Sequence, residues 1–171
     1  MITNVTLTTK EKYLLEDAKS HEEICIEKYT NYENLACDAQ LKAVFRSNGQ
    51  KEKEHLQTIN QLLTGQVPSM NQSSQDSSQQ QVGQTGQSQT SQQATVDKQS
   101  SGAVNFKASD KELCSDMLMT EKYVSGAYDT SIFEFKDAQV RDVLNHIQKE
   151  EQKHGEAVFA YMLSKGMYTL S

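Results

Sequence analysis

The sequence predicts an all-α fold: a four-helix bundle made of two repeated antiparallel hairpins joined by a long linker. Three observations predict it. The chain has a single proline, Pro68, in 171 residues, so little interrupts long helices. Apolar residues recur every three or four positions through two separate blocks, the period of one helix face. A shift of 99 residues lays the first block over the second.

The repeat is visible without gaps. Residues 21–55 read HEEICIEKYTNYENLACDAQLKAVFRSNGQKEKEH, and residues 120–154 read TEKYVSGAYDTSIFEFKDAQVRDVLNHIQKEEQKH. Identities fall at Glu22/Glu121, Tyr29/Tyr128, Asp38/Asp137, Ala39/Ala138, Gln40/Gln139, Val44/Val143, Glu52/Glu151 and His55/His154, 8 of 35 positions. The weight of the match lies in which residues recur.

The first block, 1–65, reads as a hairpin with helices near 9–36 and 38–64. Thr8 and Glu11 form a capping-box pattern. Leu15, Ala18, Glu22, Cys25, Tyr29, Tyr32 and Ala36 make one stripe. Asp38 is a good N-cap for the second helix, whose stripe is Leu41, Phe45, Asn48, Glu52, His55, Ile59 and Leu62. Gly65 marks its stop. Residues 66–105 hold 12 Gln and 9 Ser in 40 positions, no aromatic residue and three charges. Such a segment buries too little apolar surface to offset its ordering entropy, so it is expected to be a disordered linker. The second block, 106–171, repeats the hairpin with helices near 110–136 and 138–165. Ser109 and Glu112 form its capping box, and the stripe is Cys114, Met117, Glu121, Val124, Tyr128, Ser131 and Phe135. Asp137 opens the last helix, with Val140, Leu144, Ile147, Glu151, His154, Val158 and Tyr161 on its stripe and Gly166 at its end.

The two hairpins are expected to form one domain. Helices of about 25 residues are ~38 Å long at ~1.5 Å per residue. A 40-residue flexible linker reaches ~35 Å. It can run the length of the bundle, which permits long-crossover connectivity; up-down connectivity is also compatible with this length.

Composition excludes several classes. The formal charge is −6, which argues against a nucleic-acid binder with its basic stripe. No apolar run suits a membrane span, and MITNVTLTTKEK has no apolar core of a secretory signal, so an intracellular location is expected. Mean hydropathy is −0.71, much of it contributed by the Gln/Ser linker. Cys25, Cys37 and Cys114 are odd in number and form no CxxC pair. That excludes a disulfide framework and a zinc knuckle. Cys25 and Cys114 lie on apolar stripes and read as small buried hydrophobes, whereas Cys37 falls at a turn. His21 and His146 have no counterpart in the other half and read as surface residues.

The chemistry lies in what interrupts the apolar stripes. Glu22, Glu52, His55, Glu121, Glu151 and His154 all face the seams. A carboxylate in a core is costly unless paired or metal-bound, and four glutamates and two histidines at one level cannot satisfy one another. Residues three apart are neighbours on a helix, so Glu52-x-x-His55 and Glu151-x-x-His154 each offer two ligands. Glu22 and Glu121 add one each. One Glu from each of two helices and Glu-x-x-His from the other two is the ligand set of di-iron and di-manganese carboxylate bundles. Glu22 to Glu52 and Glu121 to Glu151 are both 30 residues, which sets the ligands at matching heights about a pseudo-twofold axis. The alternative is a set of solvated charges on glutamate-rich helices. Tyr29 and Tyr128, seven residues after the single glutamates, are candidates to donate hydrogen bonds to ligand carboxylates; they read equally well as core aromatics. Two metals ~3.5–4 Å apart would require His55 and His154 to lie within ~12 Å of each other.

These motifs resemble the ferritin-like superfamily, including rubrerythrin and bacterioferritin. EICIEKYTNYENLACD is similar to the first helix of rubrerythrins. More narrowly, the chain resembles Coat F-type spore coat proteins of endospore-forming bacteria, through SHEEICIEKYTNYENLACDAQLKAVF and SDMLMTEKYVSGAYDTSIFEFKDAQVRDVLNHIQKEEQKHGEAVFAYMLSKGMY. The resemblance implies a ferritin-like bundle on or near the spore, with two Fe or Mn ions bridged by Glu52 and Glu151. Glu22 and Glu121 would be terminal ligands. It implies other spore coat proteins as partners, is compatible with a homodimer, and implies neither nucleic acid nor membrane. A structural, metal-binding coat component is the first expectation. The alternative is a redox enzyme acting on O2 or H2O2, of rubrerythrin-like peroxidase, ferroxidase or manganese-catalase type. A third reading is a metal-free helical interaction protein that associates through its Gln/Ser arm. The chain departs from rubrerythrin in lacking a CxxC electron-donor motif, and it shows no fifth helix of the kind that supports ferritin cages.

Overall fold

A computed structural model describes residues 3–69 and 109–170. Four helices carry the fold: α1 (Thr9–Leu35), α2 (Ala39–Leu63), α3 (Asp110–Ile132) and α4 (Ala138–Ser164). Two two-residue strands, β1 (Thr3–Asn4) and β2 (Gln66–Val67), pair antiparallel with Thr3 opposite Val67 and Asn4 opposite Gln66.

Local chemistry starts each helix where the caps predict. The Thr8 hydroxyl accepts the Glu11 N–H at 3.2 Å, and the Glu11 carboxylate accepts the Thr8 N–H at 2.6 Å. Ser109 and Glu112 make the same box for α3. Asp38 and Asp137 each accept two backbone N–H groups at the starts of α2 and α4. These bonds satisfy donors that a helix start otherwise leaves unpaired.

α1 packs along α2, and α3 along α4; the hairpins meet through α1 against α3 and α2 against α4. Both cross-hairpin pairs are antiparallel. Lys10 near the start of α1 pairs with Glu134 beyond the end of α3, while Lys28 meets Asp116 at 2.6 Å. On α2 and α4, Asp38 meets Lys165 at 2.8 Å and His55 meets Glu150 at 2.9 Å. α2 therefore ends beside Val5, which bonds to the Gly65 carbonyl at 2.8 Å, and α3 begins at the opposite end, where Asp110 accepts the Cys37 and Asp38 N–H groups. The connection is the long crossover, which length alone had left open against up-down.

Two apolar clusters form the core. Leu15, Ile59, Leu62, Val124, Leu144 and Ile147 belong to one; Leu41, Phe45, Leu113, Met117, Val158 and Tyr161 belong to the other. On α2, α3 and α4 the five ionisable residues Glu52, His55, Glu121, Glu151 and His154 fall between the two clusters, so apolar packing closes the polar layer from both ends.

Two expectations are corrected. The linker was predicted to begin at 66, but Gln66 and Val67 are ordered as β2, because Val67 is 3% exposed and packs into the core with Val5 and Leu7 nearby. The remainder of the predicted linker, 70–105, lies outside the described residues. α3 was predicted to run to about 136 and ends at Ile132. There Phe135 turns inward to be buried, and the Lys136 N–H leaves the helix pattern to donate to Glu11 Oε1 at 2.9 Å. At that turn Ile132 is buried and Ser131 is only half-buried. Among the described residues no helix is long and apolar enough to cross a membrane.

Candidate metal centre

All six seam residues named from the sequence come together and are buried: Glu22, Glu52 and Glu151 are 0% exposed, and His154, the most exposed, is 4%. Their donor atoms form two groups in which every atom lies within 4.8 Å of the others: Glu22, Glu52, His55 and Glu151; and Glu52, Glu121, Glu151 and His154. Glu52 and Glu151 belong to both. The imidazole centroids are 5.5 Å apart and nearly parallel, at 24°, well inside the ~12 Å limit set by two adjacent metals. Each imidazole turns Nδ1 toward the carboxylates. His55 Nδ1 is 2.9 Å from Glu151 and 3.1 Å from Glu52, and His154 Nδ1 is 3.0 Å from Glu52.

The two tyrosines reach across the hairpins. Tyr29 on α1 donates to Glu121 Oε1 on α3, and Tyr128 on α3 donates to Glu22 Oε1 on α1. The pair obeys the pseudo-twofold relation of the repeat. The same relation extends where identities do not. Glu11 receives the Lys136 N–H, and Asp110, 99 positions on, receives the Cys37 N–H.

Two contacts break the symmetry, and neither role was read from the sequence. Asn48 Nδ2 donates to Tyr29 Oη at 3.0 Å; its place on the α2 stripe signalled burial but not a partner. Glu150 Oε2 lies 2.9 Å from His55 Nε2. It stands off the stripe among several other glutamates, so nothing in the pattern distinguished it. His146 is exposed, its Nε2 3.5 Å from the same Glu150 oxygen, and His21 is half-buried; Cys25 and Cys114 are buried and Cys37 exposed.

The family model of the Coat F domain matches residues 109–171. The matched segment, 63 of the 171 residues, spans α3 and α4. No curated protein and no solved structure matches the chain. The Coat F domain supplies Glu121, Glu151, His154 and Tyr128; the preceding hairpin supplies Glu22, Glu52, His55 and Tyr29. The cluster is therefore complete only when the Coat F domain is packed on its partner hairpin.

Its electrostatics show a site short of positive charge. Among the described residues no Lys or Arg pairs with any of the four clustered glutamates. Burial pushes Glu22 up to about 8 and, reinforced by the neighbouring Glu151 and Glu52 charges, Glu121 up to about 11. Burial also opposes ionisation of Glu52 and Glu151, yet hydrogen bonds from His154 and His55 outweigh it. They hold Glu52 below the usual range and Glu151 at about 2. Bonds to Glu151 and Glu52 raise His154 to about 9 against the effect of burial, and the bond to Glu150, followed by those to Glu151, Glu22 and Glu52, raises His55 as well. Burial holds the Cys25 thiol in its protonated form.

The residues fit a bound metal ion. Glu22 Oε2, Glu121 Oε2 and both Glu151 oxygens are buried without a well-aligned hydrogen bond, although His55 Nδ1 lies 2.9 Å from Glu151, a costly state that a cation relieves. Carboxylate and imidazole donors without thiolate suit hard or borderline ions. The cluster of buried acidic and histidine groups can hold metal.

Proposed function

We propose that this protein is a spore coat-associated, ferritin-like metalloprotein whose six-residue cluster binds two Fe or Mn ions. Glu22 and His55 would hold one ion and Glu121 and His154 the other, with Glu52 and Glu151 available to both. The observation that carries the reading is that the two four-residue groups have those two glutamates in common while four buried carboxylate oxygens lack a well-aligned hydrogen bond. Two divalent ions balance four carboxylates with both imidazoles neutral. Such a pair, when bound, supplies redox and Lewis-acid chemistry. The chain's own residues position it: Tyr29 and Tyr128 each hold one oxygen of Glu121 and Glu22, Glu150 orients His55, and the apolar clusters exclude water from both ends. The Coat F domain supports the spore coat as location and other coat proteins as partners.

Elemental analysis of protein grown in Fe- and Mn-supplemented medium and purified without chelator tests the site. About two metals per chain are expected, and fewer than ~0.5 in both wild type and reconstituted protein overturns the reading.

A redox role is the second reading. One observation favours it: a groove between α3 and α4 has the buried Glu121 and Glu151 among its lining residues. Metal-loaded wild type should then consume H2O2 and the Glu52→Ala/Glu151→Ala variant should not. Equal rates reject the enzyme and leave a structural coat component.

A further inference from the structure

The two halves of the bundle share their ligands but not the surface that covers them. On the Coat F side, a groove of about 740 Å³ runs between α3 and α4, and Glu121 and Glu151 lie among its lining residues. Ser125, Gly126 and Gly155 also line it. The positions 99 residues earlier carry Ile26, Glu27 and Leu56. Three small residues therefore line this groove, where the equivalent positions of the other half carry three larger ones. A side chain at Gly126 would enter open space, since a Cβ placed there meets nothing within 4 Å.

The lining is also charged. Asp129 and Glu156 are exposed, Glu121 and Glu151 are buried, and Lys122 is the one cation against these four carboxylates. Glu121 Oε2 and both Glu151 oxygens lack a well-aligned hydrogen bond. Carboxylates placed from the exposed lining to the buried cluster raise the local concentration of a cation and speed its arrival.

We propose that the α3–α4 groove is the entry path by which divalent cations reach the cluster, and that the α1–α2 face is closed to them. The inference rests on the two-metal reading, which says that ions bind; it adds the route. Gly126 and Gly155 keep the path open, and Asp129 and Glu156 draw the ion in.

Stopped-flow uptake of Co(II) by the full-length, metal-free protein tests this, with growth of the cobalt absorbance as the signal. Gly126→Phe should slow uptake by about tenfold or more while the final stoichiometry stays that of wild type. Glu27→Phe, at the equivalent position on the other face, should load at the wild-type rate. Asp129→Asn/Glu156→Gln should slow uptake several-fold at low salt, and the difference should fade as salt screens the exposed charges. Wild-type rates in Gly126→Phe, an equal slowing in Glu27→Phe, or no effect of the double variant at low salt each overturn the proposal. A wild-type protein that takes up no Co(II) refutes the metal site itself, a result separable from any of these because it precedes the variant comparison.

Discussion

His55 and His154 hold equivalent positions in the repeat and unequal surroundings. Glu150 backs His55 at Nε2. The position equivalent to Glu150 is Lys51, an exposed residue paired with Glu54 at 2.7 Å, so His154 gains no such carboxylate from the repeat. A carboxylate behind an imidazole selects the tautomer whose other nitrogen binds metal and raises its basicity. Glu150→Gln should therefore weaken one of two bound metals by about 10–100-fold and leave the other near its wild-type affinity. Calorimetric titration with Mn(II) would read this as two separated steps; an equal loss at both would place the effect in the fold instead. The six clustered residues were legible in the sequence because each interrupts an apolar stripe, and a buried charge requires a reason. Glu150 was not legible, because it lies beside the stripe, where a glutamate needs none.

Helix-scale packing turns on where glycine permits close approach. Gly49 on α2 faces Tyr29 on α1, and a Cβ added there would lie 2.9 Å from the Tyr29 Cβ. Neither atom can rotate away, so α1 and α2 would have to separate, moving Tyr29 Oη from Glu121. Gly49→Ala should cost about 1–3 kcal/mol despite the ~1 kcal/mol that alanine gains in a helix interior. Gly126→Ala, with open space around it, should keep that gain and stabilise by roughly 0.5–1 kcal/mol. Urea midpoints of the two variants should move in opposite directions. The caps and starts of all four helices follow from residues within three positions of each start. The end of α3 does not, because it is set by Phe135 and Lys136 meeting the core and Glu11 across the bundle.

For the whole molecule, the cluster couples folding, protons and metal. Glu22 rises from its ordinary 4.5 to about 8, and His154 from 6.5 to about 9. A group that holds its proton more tightly when folded contributes stability below its unfolded pKa, and loses it as pH rises through the folded one. Glu151, lowered from 4.5 to about 2, contributes above its unfolded value and loses that contribution as pH falls through about 2. Metal-free protein should therefore lose stability between pH 6 and pH 9, seen as a falling Tm in chelator. Divalent metal should abolish or reverse that trend, because the ion replaces the protons on Glu22 and Glu121 and releases them to solvent. A chelated Tm that rises from pH 6 to pH 9 would contradict the assigned proton positions. By itself the sequence determined the helices, their repeat and the candidate ligands. Periodicity, capping and equal 30-residue spacings depend only on neighbours along one chain segment. Only the tertiary structure decided the crossover connectivity, the exchange of Tyr29 and Tyr128 between hairpins, and the tie of Glu150 to His55. Those depend on which helix faces which across the bundle, and packing sets that between residues some 90 to 125 positions apart.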